Sequence, residues 1–457
     1  MTLAITGFAM LLSFMTLVMT KRVSALVGLV VVPLLFVVAI GDGGKAGGYV
    51  VAGMTQVAPT AFMLLFAILY FGLMIDTGLF DPLVGFIVRR AGTDPLKATL
   101  GLTALTAAVS LDGDGSTTFL VCSSAMFPIF QRLRMNPLIF ATLCGTTTAI
   151  LNMTPWGGPS ARAASALGVN PIDLFVPLLP TIVVGLLAVF ALAWWFGLRE
   201  RARLGTGGQA VADDATLIEA AIESFERDET APRPKLVLVN LALTIILMTC
   251  VILHVAAPHV LFMTGFAIAL MINYPRIADQ RRRIIAHAGS VLNVTVMILA
   301  AGAFAGVLTG TGMIDAMARA CVASLPPYLG PYLGVITALL SLPCSFFLSN
   351  DAYYFGVVPV IAGTAKAYGI APEAIGRAAI LGQPIHMLSP LVAAVYLQCA
   401  LLGVELADVQ RFVFRWALGI ALVTILAALL TSAVPLTGHD VPRNPVPAAA
   451  PVPVTIR

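Results

Sequence analysis

The sequence predicts an all-α polytopic membrane protein made of two inverted-topology repeats, with about ten transmembrane helices, two re-entrant hairpins and two broken helices. Three observations carry that prediction. The 457 residues are 59% hydrophobic and only 11% charged, where soluble domains carry about 25% charged residues. Apolar stretches of membrane-spanning length recur along the chain. The chain also matches itself when displaced by 234 or 235 positions. The composition excludes a single soluble globule, a disordered chain, a coiled coil and a nucleic-acid binder, and it makes the lipid bilayer the main partner. The net charge of +4 says little until the charges are placed. The six cysteines all lie in apolar stretches without CxxC or metal-ligand spacing, which argues against a disulfide framework or a zinc site.

A bilayer core of about 30 Å takes about 20 apolar residues of helix. That ruler places spans near 4–20, 23–41, 58–88, 137–166, 174–197, 236–257, 260–275, 288–312, 373–401 and 412–435. Two further apolar segments, 98–131 and 329–363, are interrupted by polar residues. The first span has no basic region before it and runs through Lys21 and Arg22 into more apolar sequence, so it reads as a retained helix. Residues 201–235 read as a cytoplasmic linker, acidic at Glu223, Glu226, Asp228 and Glu229 and closed by Pro232 and Pro234. Residues 436–457 form a Pro/Ala-rich tail.

The internal match falls on residues that do not interchange freely. At an offset of 234, Gly72, Thr77, Gly78 and Asp81 coincide with Gly306, Thr311, Gly312 and Asp315. At 235, Pro155 coincides with Pro390, and Leu167, Gly168, Val169 and Asp173 with Leu402, Gly403, Val404 and Asp408. The domains are therefore 1–200 and 236–435. Lys and Arg favour cytoplasmic loops. Placing 21–22, 89–97, 132–134, 199–235, 276–283 and 403–415 inside gathers 19 of the 26 basic residues there and puts both termini outside. The two halves then run in opposite directions. Both ends of 98–131 lie inside and both ends of 329–363 lie outside, so each is expected to be a re-entrant hairpin. Inverted repeats whose broken helices meet at the midplane are a recurrent design of secondary transporters.

Polar residues in so apolar a chain are few, and they concentrate. The first hairpin tip holds Ser110, Asp112, Asp114, Ser116, Thr117 and Thr118; the second holds Ser349, Asn350 and Asp351 at the matching place. In the broken helices, Asn152, Thr154, Pro155, Gly157, Gly158 and Pro159 answer Gln383, Pro384, His386, Ser389 and Pro390. Prolines and glycines unwind a helix and expose amides and carbonyls to a ligand. The bland alternatives are a solvated turn for the tips and a simple proline kink for the helices. Ionisable groups at membrane depth are costly and are functional candidates: Asp112, Asp114, Asp351, His386 and Arg162. The close pair Asp112 and Asp114 suits a shared proton. His386 is either a proton carrier or a structural donor. Arg162 either holds a carboxylate or snorkels to the outer face. Trp156 either lines a cavity or anchors packing. Asp76 and Asp81 flank Gly78 and read as marks of a helix break. No nucleotide-phosphate motif occurs, so an ion gradient, rather than ATP, is the expected source of energy.

Several runs closely resemble the citrate–divalent-cation:proton symporters, the CitMHS family. They are Leu64–Leu83, Ser110–Phe119, Pro155–Pro159 with Ala161–Ala164, Ser349–Gly356 and the opening Met19–Arg22. The resemblance covers about 1–205 and 236–435 and leaves out the linker and the tail. It implies proton-coupled uptake of citrate complexed with Mg²⁺ or Ca²⁺ across the bacterial cytoplasmic (inner) membrane, no resident cofactor and no enzymatic activity. It also implies a wider superfamily that works by an elevator motion on a scaffold that is often a homodimer. That superfamily carries paired Ser-Asn-Thr tips. Here the tips read Asp114-Gly115-Ser116-Thr117 and Ser349-Asn350-Asp351, which argues against Na⁺ coupling and adds carboxylates. On this reading Ser116, Thr117, Asn152, Pro155, Gly157, Gly158, Arg162, Asn350, Gln383 and Ser389 bind the substrate. Asp112, Asp114, Asp351 and His386 serve the cation or the proton, with Asp114 and Asp351 on the metal. The rivals are a Na⁺-coupled di- or tricarboxylate symporter and a cation/proton antiporter.

Overall fold

The computed structural model describes residues 2–91, 94–113, 115–204 and 232–438. Most of the expected linker (205–231), the tail from 439, and Asp114 lie outside the described residues. Among the described residues the fold is all helical, with no strand. The first half contains α1 (Thr2–Met19), α2 (Ala25–Ala39), α3 (Ala46–Asp76), α4 (Asp81–Ala91), α5 (Pro95–Val109), α6 (Gly115–Arg132), α7 (Pro137–Leu151), α8 (Gly158–Leu167) and α9 (Pro171–Leu204). The second contains α10 (Val237–Ile252), α11 (Pro258–Asn273), α12 (Ile277–Gly310), α13 (Met313–Ser324), α14 (Leu333–Phe347), α15 (Val358–Lys366), α16 (Pro372–Ile380), α17 (Gln383–His386), α18 (Ala393–Leu402) and α19 (Leu406–Leu430).

Local chemistry sets many of these ends. Asp94 and Asn136 cap α5 and α7 in the same way. Each side chain accepts the N–H two residues on, at 3.1 and 2.9 Å, and a proline fills the first helical position. Gly168 and Gly403 end α8 and α18 in the left-handed region, both at φ +65. Gly78 and Gly312, which coincide under the 234 offset, do the same after α3 and α12 at φ +80 and +73.

Among the described residues, seven helices are long and apolar enough to cross a membrane. They are α1, α3, α9, α10, α12, α14 and α19, some with a short 3₁₀ lead-in. Six coincide with expected spans, and α14 falls in the segment 329–363 that was expected to form the second hairpin. Of the other expected spans, α2 and α11 are short, while 137–166 and 373–401 are interrupted. Two boundaries differ from expectation. The segment expected at 58–88 is a helix over Ala46–Asp76, then a turn, then the separate α4. The helix expected at 288–312 begins at Ile277 and includes Arg281, Arg282 and Arg283. Hydropathy marks the part of a helix that lipid tolerates, not where its hydrogen bonds end.

The outer surface is apolar: Leu35, Leu187, Leu241, Ile245 and Leu430 are all exposed, as fits helices solvated by lipid. The long helices α3 and α12 make the most extensive helix pair. At one end of the crossing a Cβ on Gly53 would lie 2.0 Å from the Gly302 carbonyl oxygen, and one on Gly310 would lie 2.2 Å from the Tyr49 ring. At the other end, Asp76 meets His287 at 3.0 Å and Arg283 at 3.5 Å, and His287 packs on Gly72. Around this pair, α5–α9 and α14–α19 enclose the largest apolar core, which contains both interrupted helices.

Candidate functional site

Between α7 and α8 the chain unwinds over 152–157. The turn folds back on its own start, so tightly that a Cβ on Gly157 would stand 2.1 Å from the Asn152 carbonyl oxygen. Only glycine fits there. Pro155 and Pro159 keep the two helices from joining. The first hairpin is seated on this break. Its tip is a 3₁₀ turn, Ser110–Asp112, followed by Gly113 at φ +79. Trp156 Nε1 donates to the Leu111 carbonyl at 2.7 Å, and its ring packs on Phe71 and Phe262. Ser110 and Thr148 share a hydroxyl hydrogen bond of 3.2 Å. Trp156 is therefore an anchor of the tip. Ser116 and Thr117 lie half-buried in the first turn of α6, and both have partners. Asp112 ends the 3₁₀ turn; its side chain lies outside the described part.

The second break, 387–392, is held by the second hairpin. The last carbonyls of a helix have no partner within it, and α14 ends at Phe347. His386 Nδ1 lies 2.8 Å from the Ser345 carbonyl, and Ser389 Oγ donates to the Phe346 carbonyl at 2.8 Å. A carbonyl only accepts, so Nδ1 carries the hydrogen and a neutral His386 leaves Nε2 as an acceptor. Gln383 Nε2 donates to Tyr354 Oη at 2.9 Å. Beyond the tip, Ala352–Val357 forms a π-helical turn, a distortion frequent at functional sites.

One contact ties the two halves together at this level. Arg162 Nε, on α8, stands 2.7 Å from Asp351 Oδ1 at the second tip, and Arg162 Nη1 reaches back to the Gly158 carbonyl at 3.1 Å. The two side chains are 23% and 19% exposed. Arg162 does not snorkel outward; its charge meets an acid of the opposite half. Asp351, expected on a cation, faces a guanidinium. The described residues bring no three His, Cys, Asp or Glu side chains together in a metal-binding group, and the other expected metal ligand, Asp114, is outside them.

The same region holds buried polar atoms with no hydrogen-bond partner among the described residues. They include Asn152 Oδ1, Thr154 Oγ1, Ser345 Oγ, Asn350 Oδ1, Tyr353 Oη and Gln383 Oε1. Leaving such a group unpaired costs about 1–3 kcal/mol, so these six atoms are candidates to meet a polar ligand. Amide and hydroxyl oxygens are hard donors suited to Mg²⁺ or Ca²⁺, and hydroxyls also donate to carboxylates. Thus Asn152, Gly157, Gly158, Arg162, Asn350, Asp351, Gln383, His386 and Ser389 lie at the two breaks and the second tip. The sequence reading did not single out Ser345, Tyr353 and Tyr354, whose polar atoms lie in the same segments. The two tyrosines adjoin Asp351 in the tip and carried a signal. Ser345 carried only its place beside Pro343 in an apolar arm.

Comparison with known proteins gives a consistent picture. The family model for CitMHS, described as citrate transporter, matches residues 9–382. A citrate transporter of Bacillus subtilis is 47% identical over 428 residues, covering 94% of this chain and 98% of its own. The Mg(2+)/citrate complex secondary transporter of the same organism is 46% identical over 436 residues, covering 95% and 100%. Among solved structures, MtrF of Neisseria gonorrhoeae, of a class of antimetabolite efflux pumps, aligns with a TM-score of 0.60 at 14% identity over 89% of this chain and 88% of its own. The YdaH transporter of Alcanivorax borkumensis aligns with a TM-score of 0.55, also at 14% identity, over 87% and 90%. These two likenesses concern the fold alone.

Proposed function

The chain belongs to the CitMHS family of citrate transporters, and on that premise we propose that it takes up citrate as a complex with a divalent cation, Mg²⁺ or Ca²⁺, coupled to protons. It is an integral membrane transport protein, not an enzyme. The observation that carries the proposal is the Arg162–Asp351 pair, together with unpartnered buried oxygens on the same tip and breaks. Near neutral pH citrate is close to a trianion, and a bound divalent cation leaves one net negative charge. Such a complex presents a cation and carboxylates together. It exchanges with the ion pair: a citrate carboxylate takes Arg162 while the metal takes Asp351. Bare citrate would leave Asp351 facing carboxylates, which low dielectric makes costly.

In this proposal Asn152, Asn350 and Gln383 turn amide groups to the complex. Ser116, Thr117 and Ser389 offer hydroxyls, and Pro155, Gly157 and Gly158 offer unwound backbone. Asp114 would join Asp351 on the transported metal, with Asp112, Asp114, Asp351 and His386 as the candidates for the coupling proton. The hairpins and broken helices move as one body against the α3–α12 crossing, an elevator-type motion, in a homodimer of the bacterial cytoplasmic membrane. The inverted repeat is supported by that crossing. Under the 234 offset the contact of Gly53 with Gly306 becomes that of His287 with Gly72, and Tyr49 with Gly310 becomes Arg283 with Asp76. Pairs of contacts related in this way are what a pseudo-two-fold axis between α3 and α12 produces. The experiment is uptake of labelled citrate into energised vesicles with each divalent metal in turn. Metal-dependent uptake driven by an imposed proton gradient supports the proposal; uptake indifferent to metal, or driven by Na⁺ alone, refutes it.

A further inference from the structure

The structure assigns a second anion site, far from the tips in sequence: a cavity of about 510 Å³ lined by Arg134, Arg199, Arg203, Arg415 and Glu200 over a floor that includes Phe196 and Phe412. We propose that it binds the phosphodiester head group of an anionic phospholipid. Three segments meet there: the turn between α6 and α7, the end of α9 and the start of α19. Each belongs to the basic segments that the charge distribution places on the cytoplasmic side.

The charge balance of the cavity is uneven. The Glu200 carboxylate accepts from Arg203 Nε at 2.9 Å and Nη2 at 2.7 Å, and from the Asn136 N–H at 3.3 Å. One acid and one arginine thus neutralise each other. Arg134, Arg199 and Arg415 remain with no carboxylate partner among the described residues. Arg199 instead lies over the Trp195 ring at 5.2 Å, and Arg415 over Phe412 at 5.2 Å and Trp416 at 5.1 Å. Cation–π contacts hold the guanidinium planes while leaving their N–H edges for an acceptor. Arginines in this number suit a phosphate, which arginine binds in bidentate fashion.

The surroundings favour a lipid over a free phosphate. Trp194, Trp195 and Leu198 on α9 and Phe414 on α19 are exposed and adjoin the lining residues in sequence. Exposed aromatic and apolar side chains of this kind are found at the level of lipid head groups, and acyl chains would lie along them. Basic pockets between helices at the cytoplasmic face are a recurrent mode of anionic-lipid recognition.

The test is thermal unfolding of the full-length protein in a neutral detergent, with added phosphatidylglycerol, phosphatidylcholine or sodium phosphate, alongside native mass spectrometry to count retained lipid. The expected result is a Tm raised by several degrees and a retained lipid with phosphatidylglycerol only. Both effects disappear in Arg199→Gln/Arg415→Gln, whose lipid-free Tm stays close to that of the parent. If that double variant does not fold, Arg415→Gln alone is expected to weaken retention. The proposal is overturned if phosphate reproduces the shift, which makes this a free-anion site, or if phosphatidylcholine does. It is also overturned if the variants keep the effect. It is overturned again if lipid binds only after Glu219, Glu223, Glu226, Asp228 and Glu229 are neutralised, which gives the cavity to the chain's own acidic segment.

Discussion

Arg162 and Asp351 are the residues where the proposed chemistry is most exposed to test. Each holds the other in the structure, and each has a separate partner in the proposed complex. Asp351→Asn keeps the size and removes the charge that meets the metal. It is expected to lower uptake of the Mg²⁺ complex about ten- to a hundredfold, corresponding to about 1.5–3 kcal/mol for a hydrogen bond to a charged group. It is also expected to flatten the differences between metals in a vesicle assay. Arg162→Gln is expected to impair uptake with every metal alike, because it removes a contact to citrate itself. Asp351, Arg162, Gln383, His386 and Ser389 stood out in the sequence as candidates because polar residues are scarce in an apolar chain. Their partners were not. His386 and Ser389 bind the carbonyls of Ser345 and Phe346, and a backbone carbonyl has no residue type to betray it. Nor did composition pair Arg162 with an acid 189 positions away.

At the scale of elements, the breaks followed from Pro155, Gly157, Gly158 and Pro159, since no helix continues through them. Helix lengths did not follow: α3 and α12 extend through glycines and arginines that hydropathy counts as loop. Two adjacent glycines separate backbone from side-chain constraint. Gly157→Ala drives its Cβ into the Asn152 carbonyl oxygen and is expected to yield little folded protein. Gly158→Ala meets only Arg162 Nη1, at 2.9 Å, a mobile side-chain end. It is expected to fold with a Tm near the parent's and to transport more slowly. Size-exclusion profiles and uptake distinguish the two. The cap of α5 adds a pH test outside the membrane. Burial raises the Asp94 pKa, but the ion pair with Arg201 and the Leu96 N–H outweigh it and hold the carboxyl below its usual value. A depressed folded-state pKa stabilises above the unfolded value, and that stabilisation is lost as pH falls through the folded one. Asp94→Asn is therefore expected to lower Tm at neutral pH, with the difference vanishing as the pH falls below about 4.

At the scale of the whole molecule, the all-helical membrane fold was legible because 59% hydrophobic residues leave no aqueous alternative. Gly78 and Gly312, which the self-match at 234 aligned, are both left-handed. The closeness of the α3–α12 crossing was not legible, because a glycine announces freedom in its backbone and not which neighbour fills the space. Gly53→Val, forced against Gly302 and Gly306, is expected to reduce folded yield by the cost of overpacking, about 1–3 kcal/mol or more, without changing the metal preference of the protein that does fold. The site and the scaffold would then be separable, as an elevator requires. The most direct measurement of the central claim is uptake of labelled citrate into right-side-out vesicles under an imposed proton gradient, across a series of divalent metals and with a metal-free control. The account predicts uptake that needs a divalent cation, carries labelled metal and citrate together in a fixed ratio, and loses that ratio in Asp351→Asn. Citrate entering equally well without metal, or on a sodium gradient alone, would contradict it.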